Sequence, residues 1–210
     1  MSTVPFFLFP NSPLWKDFEY HFFDEADEET TVQYILLMDA LNFCFWPAPT
    51  LEYCHLAGGL KAALARDRHA FDAPRLASAT AEDVRTWVRA DIPEAEERAR
   101  LVRELGAVLQ TRFGGRAANL VRAAGRSART LVALVTESLP GFRDAAVYRG
   151  RQVFFYKRVQ IFVGDVWGAF QGRGIGAFDD IDALTMFPDY RLCLCLVVVL
   201  PLLFMVCVHL

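Results

Sequence analysis

From Thr31 the chain reads TTVQYILLMDALNFCFW, a run that is apolar on nearly every face yet keeps helical spacing. Tyr34, Leu37, Met38, Leu41 and Phe45 recur at intervals of three and four, and Pro47 and Pro49 end the run. A helix without a polar face must be enclosed by protein, so the rest of the chain has to supply its surroundings. The run carries one acid, Asp39, and one amide, Asn42. Inside a core both need partners, and they are expected to hold neighbouring backbone in a buried network.

The flanking segments supply more helix. Gly59 to about Asp67 is rich in alanine and leucine, and Thr80 opens another helix with Asp83 in capping-box register. After Asp91-Ile92-Pro93 comes EAEERARLVRELGAVLQTRF, with acids in its first turn, Leu101, Leu105, Val108 and Leu109 on one face, and a stop at Gly114-Gly115. Ser127 to Leu139 is a further helix, ended by Pro140-Gly141. Val147-Tyr148 and Val153 to Phe155 flank Arg149-Gly150-Arg151, which predicts a short β-hairpin near 147–155. Helical spacing returns at Val159, Phe162, Val163, Val166 and Phe170, capped by Gly172, and Asp179-Asp180 can start a last short helix reaching Pro188. With no repeats and no β-α-β alternation, the expectation is a mainly α fold: one helical domain over 15–191, an apolar leader over 1–14 and an apolar tail over 192–210.

The 210 residues suit one domain, and the 54% hydrophobic fraction is inflated by that tail. Net charge is −3 and the pI about 5.8, which excludes the basic footprint of a protein gripping long nucleic acid but permits a local basic pocket for one phosphate. Cys44, Cys54, Cys193, Cys195 and Cys207 form no C-x-x-C pair and no zinc-finger spacing with histidine. No metal is expected, and buried reduced thiols in an intracellular protein are the reading. Met1 to Pro10 lacks a basic n-region and a cleavage site, so no signal peptide is expected there. Leu192 to Leu210 is uncharged and about long enough to cross a bilayer. Against an anchor stand Pro201 in mid-span and the lack of a following positive cluster or far-end aromatics. The expected location is cytoplasmic, with membrane attachment only if the tail is genuine.

Taken singly, the polar residues near the C-terminus are ordinary. Asp189 is an aspartate after a proline in a turn, Phe187 suits a core, and His21 between Tyr20 and Phe22 suits a satisfied core histidine. Lys157 and Arg158 could hold a substrate phosphate, or equally form a solvated face or a structural ion pair. Gly172-Arg173-Gly174-Ile175-Gly176 follows a helix rather than a strand and reads as a connector, not a phosphate loop.

Three blocks in order change that reading. Asp39 to Trp46 (DALNFCFW) resembles a D-x-L-N-F-x-F-W signature. Phe155 to Ile161 (FYKRVQI), followed by Asp165 and Trp167, resembles F-Y-K-R-A-Q-I. Phe178 to Arg191 (FDDIDALTMFPDYR) resembles F-x-D-I-x-x-L-T-M-F-A-D-Y-R. Weaker echoes lie at Ala90–Gly115 and Pro140–Asp144. Together they cover Trp15 to Arg191 and resemble the queuosine salvage family. That resemblance implies a fold similar to helical DNA glycosylases. It also implies a hydrolase that cleaves the N-glycosidic bond of queuosine 5′-monophosphate, releasing queuine for salvage into tRNA modification. The implied partner is this small nucleotide, with no cofactor and no stable nucleic-acid complex.

By the same resemblance Asp189 is the nucleophile or transition-state stabiliser, and Phe187 and His21 contact the base. The chemistry suits these types. Departure of a base builds positive charge at C1′, which a fixed carboxylate stabilises. Queuine is a 7-deaza base, lacking the ring nitrogen that other glycosylases protonate, so its departure demands more hydrogen bonding. Phe187 would stack on the ring and His21 would bond its periphery.

The chain departs from the family in three places: a shorter N-terminal region, a contraction of G-Y-W-S-L to Gly58-Gly59-Leu60, and the region after Arg191. There the resemblance is expected to stop, where family members continue into a helical region with further base-contacting groups. The uncharged run in its place reads as a retained intron, a frameshift or a mistaken gene model in preference to an anchor. The competing functions are an inactive remnant or membrane-tethered pseudoenzyme that binds without cleaving, and a helical DNA-repair glycosylase, which the acidic balance disfavours.

Overall fold

A computed structural model of the chain describes residues 14–46, 48, 50–185 and 187–188. They form eight α-helices, one two-stranded hairpin and four 3-10 turns. The central element is α1 (Glu28–Ala40), buried without interruption from Thr31 to Ala40, as a helix without a polar face must be. Around it pack α2 (Tyr53–Arg66), α5 (Ala95–Arg112), α6 (Ala117–Ala123) and α8 (Lys157–Ala169). The shorter α3 (Ala73–Leu76) and α4 (Ala81–Val88) lie on α5, while α7 (Ala128–Ser138) bridges α6 and α8. The fold is mainly α, with the expected hairpin as β1 (Ala145–Tyr148) and β2 (Arg151–Phe154). Its turn residues Arg149 and Gly150 both have positive φ, the conformation tight antiparallel hairpins favour.

Both ends of α1 differ from the sequence expectation. It starts earlier, at Glu28, because the Asp27 carboxylate accepts from the Thr30 N–H at 3.0 Å and its hydroxyl at 2.6 Å. It also ends at Ala40 rather than running through Phe45. Three cations from α5 and α8 take up the carbonyls there. Arg98, fully buried, donates through Nη1 to Leu41, through Nη2 to Phe43 and Cys44, and through Nε to Pro93. Arg158 Nη1 donates to Ala40 at 2.8 Å, and Lys157 Nζ to Asn42 at 3.1 Å. The Phe43 ring receives both guanidiniums, at 4.2 and 5.0 Å. Positive charge at a helix C-terminus complements its dipole, and here it also lets the chain leave the helix early.

The Thr80–Asp83 capping box is present as expected, and the helix expected from Ser127 starts at Ala128 with Ser127 as its N-cap. Helix α2 begins six residues before Gly59, at Tyr53, through a capping box in which Glu52 and His55 exchange bonds. The expected helix from Asp179-Asp180 to Pro188 does not form; the described residues hold a 3-10 turn at Ile181–Ala183. Asp180 is committed elsewhere. Its carboxylate accepts from Ser127 Oγ at 2.9 Å and from the Ala128 N–H, capping α7. Helix α6, which the sequence did not announce, relies on a distant residue: Gln33 of α1 accepts from the Ala117 N–H and donates to the Phe71 carbonyl, both at 2.9 Å.

Gly106 sets how closely α5 crosses α3. A Cβ there would lie 2.2 Å from the Ala77 nitrogen and 2.7 Å from the Ala73 carbonyl oxygen. Backbone cannot yield as a flexible side chain does, so Gly106→Ala is expected to cost about 1–3 kcal/mol, read as a lowered thermal midpoint. An unchanged midpoint would show that the crossing is not close-packed. Cys44 is exposed and Cys54 partly so, a correction to the expectation of buried thiols. Among the described residues no helix is long and apolar enough to cross a membrane; the 192–210 run lies outside them.

Candidate active site

The three sequence blocks converge around the end of α1. The 3-10 turn Trp15–Asp17 and the loop after it bring Trp15 and His21, α1 brings Met38 and Asp39, α2 opens with Tyr53, and α8 carries Lys157, Gly164 and Asp165. His21 is buried and stacks on Trp15 at 3.9 Å. Its Nδ1 lies 2.7 Å from the Trp15 carbonyl oxygen and its Nε2 2.8 Å from the Tyr53 hydroxyl. A carbonyl only accepts, so Nδ1 carries the hydrogen and Nε2 accepts from Tyr53. Both ring nitrogens therefore bond within the protein, and a hydrogen bond from His21 to a ligand requires Tyr53 to let go.

Burial lowers the His21 pKa from 6.5 to about 4. A lowered histidine pKa means that the unfolded chain binds more protons over that window, so stability falls as pH falls through it. Between pH 6.5 and 4 the wild type is expected to lose about 3 kcal/mol more than His21→Gln, measured by denaturant titration at several pH values. Parallel stability curves would show that His21 does not titrate with folding.

Beside this aromatic cluster stand two acids. Asp39 is fully buried and neither carboxyl oxygen has a hydrogen-bond partner among the described residues. The Asn42 amide lowers its pKa but misses hydrogen-bonding geometry, so the expected network of Asp39 with backbone is not what forms. Burial first, and Asp165 second, push Asp39 well above the usual carboxylate range. Asp165 lies deep among protein atoms but keeps some accessible surface, and burial raises it to about 7. The Lys157 charge acts on both acids, and the Trp15 indole is a donor neighbour of Asp165 whose N–H falls short of bonding geometry.

The segment that carries Phe187 is tied to the same helix. Gln160, in the first turn of α8, accepts from the Thr185 N–H at 2.8 Å and its hydroxyl at 2.9 Å, while donating to the Phe155 carbonyl at 3.1 Å. The Phe187 ring lies against Gly164, where a Cβ would be 3.0 Å from Cζ. Asp189 follows Pro188 directly and lies outside the described residues. Arg158 does not face this cluster with open donors: Nη1 is held by Ala40 and Nη2 by the Gly141 carbonyl. That geometry supports a structural role for Arg158, while Lys157 is the cation beside the two acids.

Sequence reading missed Tyr53, Trp15 and Gln160 as parts of the site. Gln160 sits inside a recognised block, yet only the folded chain reveals that it holds the segment two residues before Phe187. Gln160→Ala is expected to free that segment and weaken ligand binding by about tenfold, from the loss of two part-buried bonds. Unchanged KM would show that the segment holds its place unaided.

The profile of queuosine salvage proteins matches residues 20–204. The match continues past Arg191 into the uncharged run. A queuosine 5′-phosphate N-glycosylase/hydrolase of Dictyostelium discoideum is 51% identical over 185 residues, covering 85% of this chain and 58% of that protein. The protein of the same name from Sphaerobacter thermophilus is 47% identical over 191 residues, with the same coverage of each. That from Mus musculus is 35% identical over 206 residues, covering 88% of this chain and 61% of its own length. The chain thus spans about three fifths of the relatives it matches. On the extent of the profile match and the convergence of the three blocks, the chain belongs to the queuosine salvage protein family.

Proposed function

We propose that this chain is a nucleotide N-glycosidase that hydrolyses queuosine 5′-monophosphate to queuine and ribose 5-phosphate. The observation that carries the reading is the convergence of all three family-like blocks on one polar cluster: Asp39 from the first, Lys157 and Asp165 from the second, Phe187 from the third. Relatives that share half of the aligned residues are named for this reaction.

In this reading Asp189 stabilises the positive charge that develops at C1′ as the base departs. Phe187, seated on Gly164, offers an aromatic face for the base. His21 is held neutral and oriented by Trp15 and Tyr53, so it meets the base as an uncharged ring. Lys157 supplies the local positive charge in a chain whose net charge is −3. The test is incubation of the purified chain with queuosine 5′-monophosphate and detection of free queuine by mass spectrometry. The expected result is queuine with an equal amount of ribose 5-phosphate. A folded chain that releases neither overturns the reading.

A further inference from the structure

The cluster contains two acids that the reaction above does not use, and one cation acting on both. Asp165 follows Gly164, the residue that seats Phe187, and it neighbours Trp15, on which His21 stacks. It is thus one residue along α8 from the seat of Phe187, and beside the indole on which His21 stacks. Other groups acting with it are Asp39 and Tyr34 on α1, Tyr53 on α2, Tyr20 before α1, and Lys157 on its own helix. None of the tyrosines is acidic enough to donate near neutrality, since burial raises all three. Asp39 is sealed from solvent, whereas Asp165 keeps an accessible surface. Of the two acids only Asp165 can reach a ligand.

Resting on the N-glycosidase reading, we propose that Asp165 is the proton donor to the departing base. As the C1′–N bond breaks, its electron pair passes to the base, and the Asp165 O–H proton transfers to the base with it. Water then bonds through oxygen to C1′, and its released proton returns to the Asp165 carboxylate. The sum is simple hydrolysis, with water as the only co-reactant. A base without the usual protonatable ring nitrogen makes such a donor valuable. The raised pKa of about 7 agrees with this role, because near neutrality a large share of Asp165 carries the proton and regains it after each turnover.

The proposal separates two substrates. Queuosine 5′-monophosphate needs a proton on its leaving group; 4-nitrophenyl ribofuranoside 5-phosphate departs as a stable phenolate and needs none. Asp165→Asn in the full chain is expected to lose about 10²–10⁴-fold in kcat on the nucleotide, but less than about threefold on the nitrophenyl compound. Retained cleavage of the second compound also shows that the variant folds. Wild-type kcat on the nucleotide should fall as pH rises through about 7, where the donor loses its proton, and this limb should be missing with the nitrophenyl substrate. Folding gives an independent check: burying an acid whose pKa is raised favours the protonated fold, so stability falls as pH rises toward 7. Asp165→Asn should accordingly melt at or above the wild type at alkaline pH.

Equal losses on both substrates, or a wild-type nucleotide profile flat through neutrality, overturn the role of Asp165 while leaving the glycosidase reading intact. A folded wild type that cleaves neither compound overturns both.

Discussion

Asp189→Asn is expected to lower queuine release from queuosine 5′-monophosphate by about 10³-fold or more, with KM changed little. The substitution keeps size and hydrogen-bonding capacity but removes the charge. Substrate in the ground state carries no positive charge at C1′, so the carboxylate contributes little to binding. In the transition state the sugar approaches an oxocarbenium ion, and a fixed negative group beside it contributes about 4 kcal/mol when 10³-fold is at stake. The loss should therefore appear in kcat. Asp189 itself lies outside the described residues; the chain just before it is held, with Thr185 anchored by Gln160 and Phe187 resting on Gly164 of the same helix. Single-turnover kinetics of the wild type and variant decide the matter. Activity within about tenfold of wild type would show that the charge at position 189 does not stabilise the transition state.

The second large effect is on stability. Arg98→Met should lower unfolding free energy by about 3 kcal/mol or more, a fall of roughly 6–12 °C in thermal midpoint for a chain of this size. Arg98 is fully buried and donates to the carbonyls of Leu41, Phe43, Cys44 and Pro93. Burial lowers its pKa only to about 10, so it keeps its charge at neutrality. Methionine fills a similar volume but leaves those carbonyls without the donor that drew them into the core. Arg98→Lys should recover little, because one ammonium cannot reproduce a planar fork. The surface pairs Arg68–Asp24 and Arg85–Asp91 are a useful contrast: both partners are substantially exposed, and removing either pair should cost less than about 1 kcal/mol. Urea titrations of these variants make the comparison directly. A mild effect of Arg98→Met would show that the end of α1 is held by packing and by Arg158 instead.

The same residues show where local pattern suffices. The capping box at Thr80 acts within three residues of itself, and the Arg149-Gly150 turn closes its own hairpin, so both were legible. The apolar run that became α1 announced its own burial, because a helix with no polar face has one stable environment. Family membership was readable too, since the blocks carry their residue types in order.

Other features depend on partners far away in sequence. Where α1 stops is set by Arg98 and Arg158, more than fifty residues on, and helical spacing alone carries no sign of them. Asp180 looks like the start of a helix but satisfies the N-terminus of α7 instead, because the N–H groups it meets there are otherwise unpaired. The sequence by itself determined the helical class and the family. Only the tertiary structure decided that His21 is locked by Trp15 and Tyr53, that Arg158 holds backbone, and that Asp39 and Asp165 share one cation. The physical reason is the range of the forces: caps and turns are short-ranged along the chain, whereas desolvation and charge act between whatever the fold buries together.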